Sequence, residues 1–150
     1  MPVIYTFVAN IRFYILYINM EELKSEKILL KEYWNTLTPA QRKKLTSMLS
    51  EHGLPYNKAY RRINIIGFSL WEYDGIYNLL KDFGLQIPRS RTDVWNRIEK
   101  KEPFYIFMNN HGMSRGTTNT RFSRFKFKRW ETKGIKEILC QFDNLKNNIS

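Results

Sequence analysis

The sequence predicts a mainly α protein built as two tandem helical modules, and three observations carry that expectation. The first is an internal repeat. Residues 52–83 align with residues 111–142 at an offset of 59 positions without a gap, and ten of the 32 positions are identical. The pairs are His52/His111, Gly53/Gly112, Arg62/Arg121, Phe68/Phe127, Trp71/Trp130, Glu72/Glu131, Gly75/Gly134, Ile76/Ile135, Leu80/Leu139 and Phe83/Phe142. Unrelated segments would match at roughly 2 of these positions, so the repeat marks two related units. The second observation is that apolar residues recur three and four apart through most of the chain, the period of a helix face. The third is punctuation: Thr-Pro, Ser and Gly fall where helices of that pattern begin and end.

Composition narrows the function classes. The chain has 150 residues, 25 Lys and Arg against 14 Asp and Glu, and a net charge of +11. An apolar fraction of 43% with 15% aromatics supports a packed core. The charge favours a polyanionic partner, nucleic acid first and an acidic protein or anionic membrane second. Cys140 is the single cysteine and His52 and His111 are the two histidines, so an internal disulfide is impossible and a zinc site lacks ligands. Such cysteine usage suits a reducing, cytoplasmic setting, here that of a bacterial host cell. No metal or other cofactor is implied.

In chain order, residues 1–19 form a strongly apolar N-terminal segment. A signal peptide lacks its basic start and cleavage site there, and Asn10, Arg12 and Asn19 interrupt a membrane span. Two readings stay open: a strand or helix lying on the fold, or an extension of the reading frame upstream of Met20 that is not native. The first module is expected over 20–84. It opens with an amphipathic helix over 20–36 with Leu23, Leu30, Trp34 and Leu37 inward. Thr38, Pro39 and Gln41 make a capping box for a second helix that buries Leu45, Met48 and Leu49. Gly53 ends it, because glycine takes the left-handed conformation without a Cβ clash. A short basic helix follows over 57–64 and a connector over 65–68. Ser69 and Glu72 then box the start of a helix burying Trp71, Ile76, Leu79, Leu80 and Phe83, closed by Gly84. Residues 85–92 with Pro88 are the linker. The second module spans 93–144, with a helix over 93–101 (Val94, Trp95, Ile98), a restart at Pro103, and Phe104, Phe107 and Met108 on the next buried stripe. Residues 145–150 are a tail.

A helix, a glycine-centred three-residue turn and a short basic helix make a helix-turn-helix pattern. The run from Gly112 to Phe122 (Gly-Met-Ser-Arg-Gly-Thr-Thr-Asn-Thr-Arg-Phe) resembles the G-[IV]-S-x-x-T-[VL]-Y-x-x-F run of phage and bacterial repressors of the helix-turn-helix superfamily, and Gly53 to Ile63 resembles it too. The family's packing positions fall on Leu54, Ala59 and Ile63 in the first copy and on Met113, Thr118 and Phe122 in the second. The chain departs from the family at Leu49 and Met108, where a small residue is preferred, and in the polar Thr118-Asn119 pair.

The resemblance implies that the helix after the turn enters the major groove. Its outward residues are then Tyr56, Asn57, Lys58, Arg61 and Arg62 in copy one, and Ser114, Arg115, Gly116, Thr117, Asn119, Thr120 and Arg121 in copy two. Arg pairs with guanine and Asn with adenine through two parallel bonds, while Ser and Thr suit phosphates. Copy two adds Arg124, Lys126, Lys128 and Arg129. The alternation of Arg124, Lys126 and Lys128 with Phe125 and Phe127 has the period of a short strand or wing near 124–128. His52 and His111 read as helix-end residues, Trp71 and Trp130 as core, and Cys140 as incidental; no constellation of a catalyst is present.

Two functions follow as expectations. One is a sequence-specific DNA-binding transcriptional regulator of a phage or mobile element, its two modules contacting half-sites ~34 Å apart. The other is an anti-CRISPR-type inhibitor that turns the same surface onto an RNA or a nuclease–guide RNA complex. The aromatics Tyr56, Tyr60, Tyr73, Tyr77 and Phe125 favour the second if they are exposed. Neither reading needs an enzyme or a membrane, and a monomer with two modules satisfies both.

Overall fold

The computed structural model describes residues 27–85, 93–99 and 101–149. The N-terminal segment and the linker core at 86–92 lie outside them, as do residues 20–26 of the first expected helix. The fold is mainly α. Copy one contributes α1 (Lys31–Thr36), α2 (Pro39–Glu51), α3 (Tyr56–Arg61, continued by a π-helical turn Arg62–Ile66), α4 (Leu70–Asp74) and α5 (Ile76–Asp82). Copy two contributes α6 (Asp93–Arg97), α7 (Lys101–Asn109), α8 (Arg115–Ser123), α9 (Arg129–Lys133) and α10 (Ile135–Lys146).

Local chemistry explains most boundaries. The Thr38 hydroxyl accepts from the Gln41 N–H at 3.2 Å and the Gln41 carboxamide oxygen accepts from the Thr38 N–H at 2.8 Å, the full capping box. At α4, Glu72 accepts from the Ser69 N–H at 2.8 Å, and at α9 Glu131 accepts from the Lys128 N–H at 2.8 Å. α2 ends at His52, and Gly53 turns with φ 89. Leu54, Ala59, Ile63, Met113, Thr118 and Phe122 are all buried, as their packing positions require.

Three expectations are corrected. Lys27–Leu30 is not helical. Ile28 instead exchanges both backbone hydrogen bonds with Phe68 (2.7 and 2.9 Å), an isolated antiparallel bridge that holds the segment extended. The wing near 124–128 does not form. Its backbone bonds locally, with Phe125 N–H on Phe122 and Lys126 N–H on Arg121, and Phe125 turns at φ 45. Among the described residues no strand lies beside it to pair the ladder, and the alternation sends Phe125 and Phe127 into one core. The helices begun by Ser69 and Lys128 are each broken, at Gly75 and Gly134, both at φ 93.

These breaks set the architecture. One hydrophobic core joins Leu30, Tyr33, Leu45, Leu49, Ile63 and Phe68 of copy one to Trp130, Ile135, Ile138, Leu139 and Phe142 of copy two. The other joins Val94, Ile98, Phe104, Met108 and Phe122 of copy two to Trp71, Ile76, Leu79 and Leu80 of copy one. Each copy's last helices therefore complete the other's core. α10 packs on α2 and α4, and α5 packs on α9. The contacts come in reciprocal pairs, as pseudo-two-fold symmetry requires. Trp71 N–H donates to the His111 carbonyl (2.8 Å) and Trp130 N–H to the His52 carbonyl (2.9 Å). Phe68 meets Trp130 edge-on at 6.0 Å and Phe127 meets Trp71 at 6.2 Å.

Tyr33 ties α1 to α10. It packs edge-on against Phe142 and donates its hydroxyl proton to Asp143. Burial, then that bond and the Asp143 charge, push the phenol above its ordinary range. A raised folded-state pKa means that the folded state holds this proton more tightly. Its stabilisation is complete below the unfolded value of about 10 and is lost as pH rises beyond it. Melting temperatures measured from neutral to alkaline pH should fall above about 10, and Tyr33→Phe should flatten that fall; an unchanged alkaline limb would refute the coupling.

Candidate nucleic-acid interface

The exposed faces of α3 and α8 carry most of the residues expected to meet a polyanion. Tyr56, Asn57, Lys58 and Arg61 are exposed on α3, as are Ser114 at the start of α8 and Arg115, Gly116, Thr117, Asn119 and Thr120 along it. Arg124, Lys126, Lys128 and Arg129 are exposed in the turn that follows and at the start of α9. Several of the copy-two residues already have partners. Ser114 accepts from the Thr117 N–H at 3.3 Å as the helix cap. Arg115 lies 4.2 Å over the Tyr105 ring and pairs with Glu102 at 2.6 Å, and Asn119 accepts from the Tyr105 hydroxyl at 3.2 Å. The Arg115–Glu102 pair is well exposed and contributes little to stability.

Arg62 and Arg121 are not on the outward face, which corrects their place among the base readers. Arg62 pairs with Glu72 and lies 5.3 Å over Phe68 and 5.6 Å over Trp130. Arg121 pairs with Glu131 and lies 5.5 Å over Trp71 and 4.9 Å over Phe127. Each guanidinium thus bridges its own copy's glutamate and the other copy's tryptophan. Burial pushes the Arg62 guanidinium below its ordinary value, with Glu131 opposing. Among the aromatics, Tyr73 and Phe125 are buried and Tyr77 stacks on Phe125, so only Tyr56 and Tyr60 are exposed enough for base stacking.

Two concavities open on copy one. The first, about 380 Å³, lies on the seam between the repeats. Lys58, Arg61, Arg62, Leu54 and Ile66 from copy one face Arg121, Lys128, Trp130 and Glu131 from copy two across it. Arg62 and Arg121 are neutralised by Glu72 and Glu131, and the three remaining cations Lys58, Arg61 and Lys128 give it a positive potential. The second, about 450 Å³, is lined by Trp34, Arg42, Lys43, Tyr56 and Tyr60 among others. Trp34 meets Tyr60 edge-on at 5.8 Å and carries Arg42 over its ring at 5.3 Å.

His52 and His111 each hold Nδ1 on a helix carbonyl at 2.7 Å, Met48 and Phe107 respectively, as helix-end residues do. Cys140 is exposed, and desolvation, then Asp143, push its thiol up, away from a reactive thiolate. Among the described residues there is no cluster of three metal-ligating side chains. Nor is any helix among them long and apolar enough to cross a membrane. The seam cleft was missed by sequence reasoning, because its walls come from residues about 60–70 positions apart; the signal that pointed to it is the repetition of Arg62/Arg121 with Trp71/Trp130. No protein-family model, curated protein sequence or solved structure gives a significant match to this chain.

Proposed function

We propose that this protein binds duplex DNA through the basic faces of α3, α8 and the Arg124–Arg129 turn, as a sequence-specific helix-turn-helix regulator of a phage or mobile element. The observation that carries the reading is convergence. Lys58 and Arg61 on α3 face the same cleft as Lys128 of the other repeat, so exposed cations of both copies form one surface. Backbone phosphates supply the complementary charge for Lys58, Arg61 and Lys128, and Asn57 has the donor geometry for a base edge. The supporting surface is asymmetric, since α8 presents Thr117 and Thr120 where α3 presents Lys58 and Arg61, so an asymmetric operator is expected.

Selection from random duplexes tests this. Enrichment of one asymmetric sequence is expected, and sequence-blind binding would sink the regulator reading. Within the selected site, Asn57→Ala should weaken binding by about 1–3 kcal/mol and relax preference at one position. Arg61→Ala should instead weaken binding over all sequences and reduce the salt slope by about 1, as loss of a phosphate contact does.

A second reading has its own support. Tyr56 and Tyr60 are exposed beside Arg42 and Lys43, a pairing of rings and cations that suits unpaired bases. An anti-CRISPR-type inhibitor acting on an RNA or a nuclease–guide RNA complex would use that face, and co-purification of such a complex in place of DNA favours it.

A further inference from the structure

The seam cleft has a counterpart in the other copy that keeps none of its three exposed cations. Shifted by the 59-residue repeat, Lys58 becomes Thr117, Arg61 becomes Thr120 and Lys128 becomes Ser69. Arg62/Arg121, Trp130/Trp71 and Glu131/Glu72 exchange without change of residue type. The frame is thus kept on both sides, while three cations on one side are three hydroxyls on the other. The hydroxyl side is also internally satisfied: Ser69 accepts from Lys27 Nζ at 2.6 Å and Thr117 accepts from Ser114 at 2.9 Å.

The charged side is the opposite case. Lys58, Arg61 and Lys128 are exposed, and none is ion-paired among the described residues. Like charges gathered without a counter-charge raise the local potential and concentrate anions. Arg121 Nε and Trp130 Nε1, in residues that line the cleft, find no acceptor among the described residues. Both atoms are buried; the donors that open on the cleft are those of Lys58, Arg61 and Lys128, against the one lining carboxylate of Glu131. A phosphate group offers several anionic acceptor oxygens at once and suits both Lys and the planar fork of Arg.

We infer that the seam cleft is a phosphate-binding site present once per chain, formed by Lys58, Arg61 and Lys128, with no equivalent on the matching side of the pseudo-dyad. The phosphate is a phosphodiester of a nucleic-acid strand or the terminal phosphate of a small nucleotide. The inference deepens the nucleic-acid reading and rests on it only for what carries the phosphate.

Inorganic pyrophosphate is the probe, titrated into the full chain at low ionic strength and followed by tryptophan fluorescence, since Trp130 lines the cleft. A saturable change at one equivalent is expected. Lys58→Thr/Arg61→Thr/Lys128→Ser gives copy one the residues of copy two and should weaken binding by about tenfold or more. Lys31→Thr/Lys44→Thr/Lys81→Thr removes the same charge from exposed positions elsewhere and should weaken it less than about threefold. Absence of saturable binding, two equivalents, or equal weakening by both variants overturns the inference. If the first variant melts below the assay temperature, Thr117→Lys/Thr120→Arg decides, with Lys27 Nζ on Ser69 standing as the third cation there: a rise towards two equivalents supports the site, and an unchanged stoichiometry overturns it. A duplex-binding arm separates the carriers. Parallel loss of duplex and pyrophosphate identifies the backbone. Loss of pyrophosphate alone leaves the cleft standing as a small-molecule site and counts against the DNA reading.

Discussion

Gly75→Ala is expected to lower stability by about 3 kcal/mol or more, and Gly134→Ala by as much. Two costs coincide at each position. Both glycines have φ 93, a backbone conformation that side chains rarely adopt. In addition, a Cβ on Gly75 would lie 2.5 Å from the Lys133 carbonyl oxygen, and one on Gly134 would lie 2.6 Å from the Asp74 carbonyl oxygen. Both obstacles are backbone, and they belong to the opposite repeat, so neither can swing aside. Relief would require the two repeats to separate at the point where their helices cross over. A fall in melting temperature of roughly 10 °C is the corresponding readout for a chain of this size. Gly84→Ala is the internal control. Gly84 has φ 99 but open space around its Cβ position, so it reports backbone strain alone, about 1 kcal/mol. If Gly75→Ala costs no more than Gly84→Ala, the close approach of the repeats is not a determinant of stability.

Arg121→Ala is expected to cost about 2–3 kcal/mol of stability, in contrast to the loss of base specificity that its position after the turn suggests. Its partner Glu131 is nearly inaccessible, with 8% side-chain exposure, so the substitution leaves a carboxylate desolvated and unpaired. It also removes the cation from the faces of Trp71 and Phe127. Arg62→Ala should behave alike, because Glu72 is as buried and Arg62 covers Phe68 and Trp130. Arg61→Ala, one residue away and exposed, should stay within about 0.5 kcal/mol of the parent in stability. A double-mutant cycle with Glu131→Gln isolates the pair: the second substitution should cost much less once the first is present. An Arg121→Ala protein that melts like the parent but selects a different DNA sequence would return this residue to the base-reading face.

The contrast between Arg61 and Arg62 shows how far sequence carries. Both are basic, adjacent and on the short helix after the turn, and periodicity over so few residues cannot tell an outward from a seam position. What separates them is recurrence: position 62 repeats as Arg121, whereas position 61 changes to Thr120. The same signal marks Gly75/Gly134. Period-2 alternation over 124–128 misled for a different reason, since a strand needs a partner to pair its backbone, and none lies beside it among the described residues. The stripe of Trp71, Ile76, Leu79 and Leu80 was legible as buried, but not against what.

By itself the sequence determined the mainly helical class, the duplication and most helix starts and stops. These depend on local physics: capping by Thr38, helical apolar periodicity and chain reversal at Gly53. Only the tertiary structure decided that each repeat completes the other's core. Burial of an apolar stripe is indifferent to which copy supplies the opposing face, and two equivalent stripes leave that choice open. Gly75 and Gly134 resolve it by breaking their helices where the backbones meet, and the ten identical pairs line or support this seam. The convergence of Lys58 and Arg61 with Lys128 follows from that exchange, which brings together residues the linear order keeps about 70 positions apart.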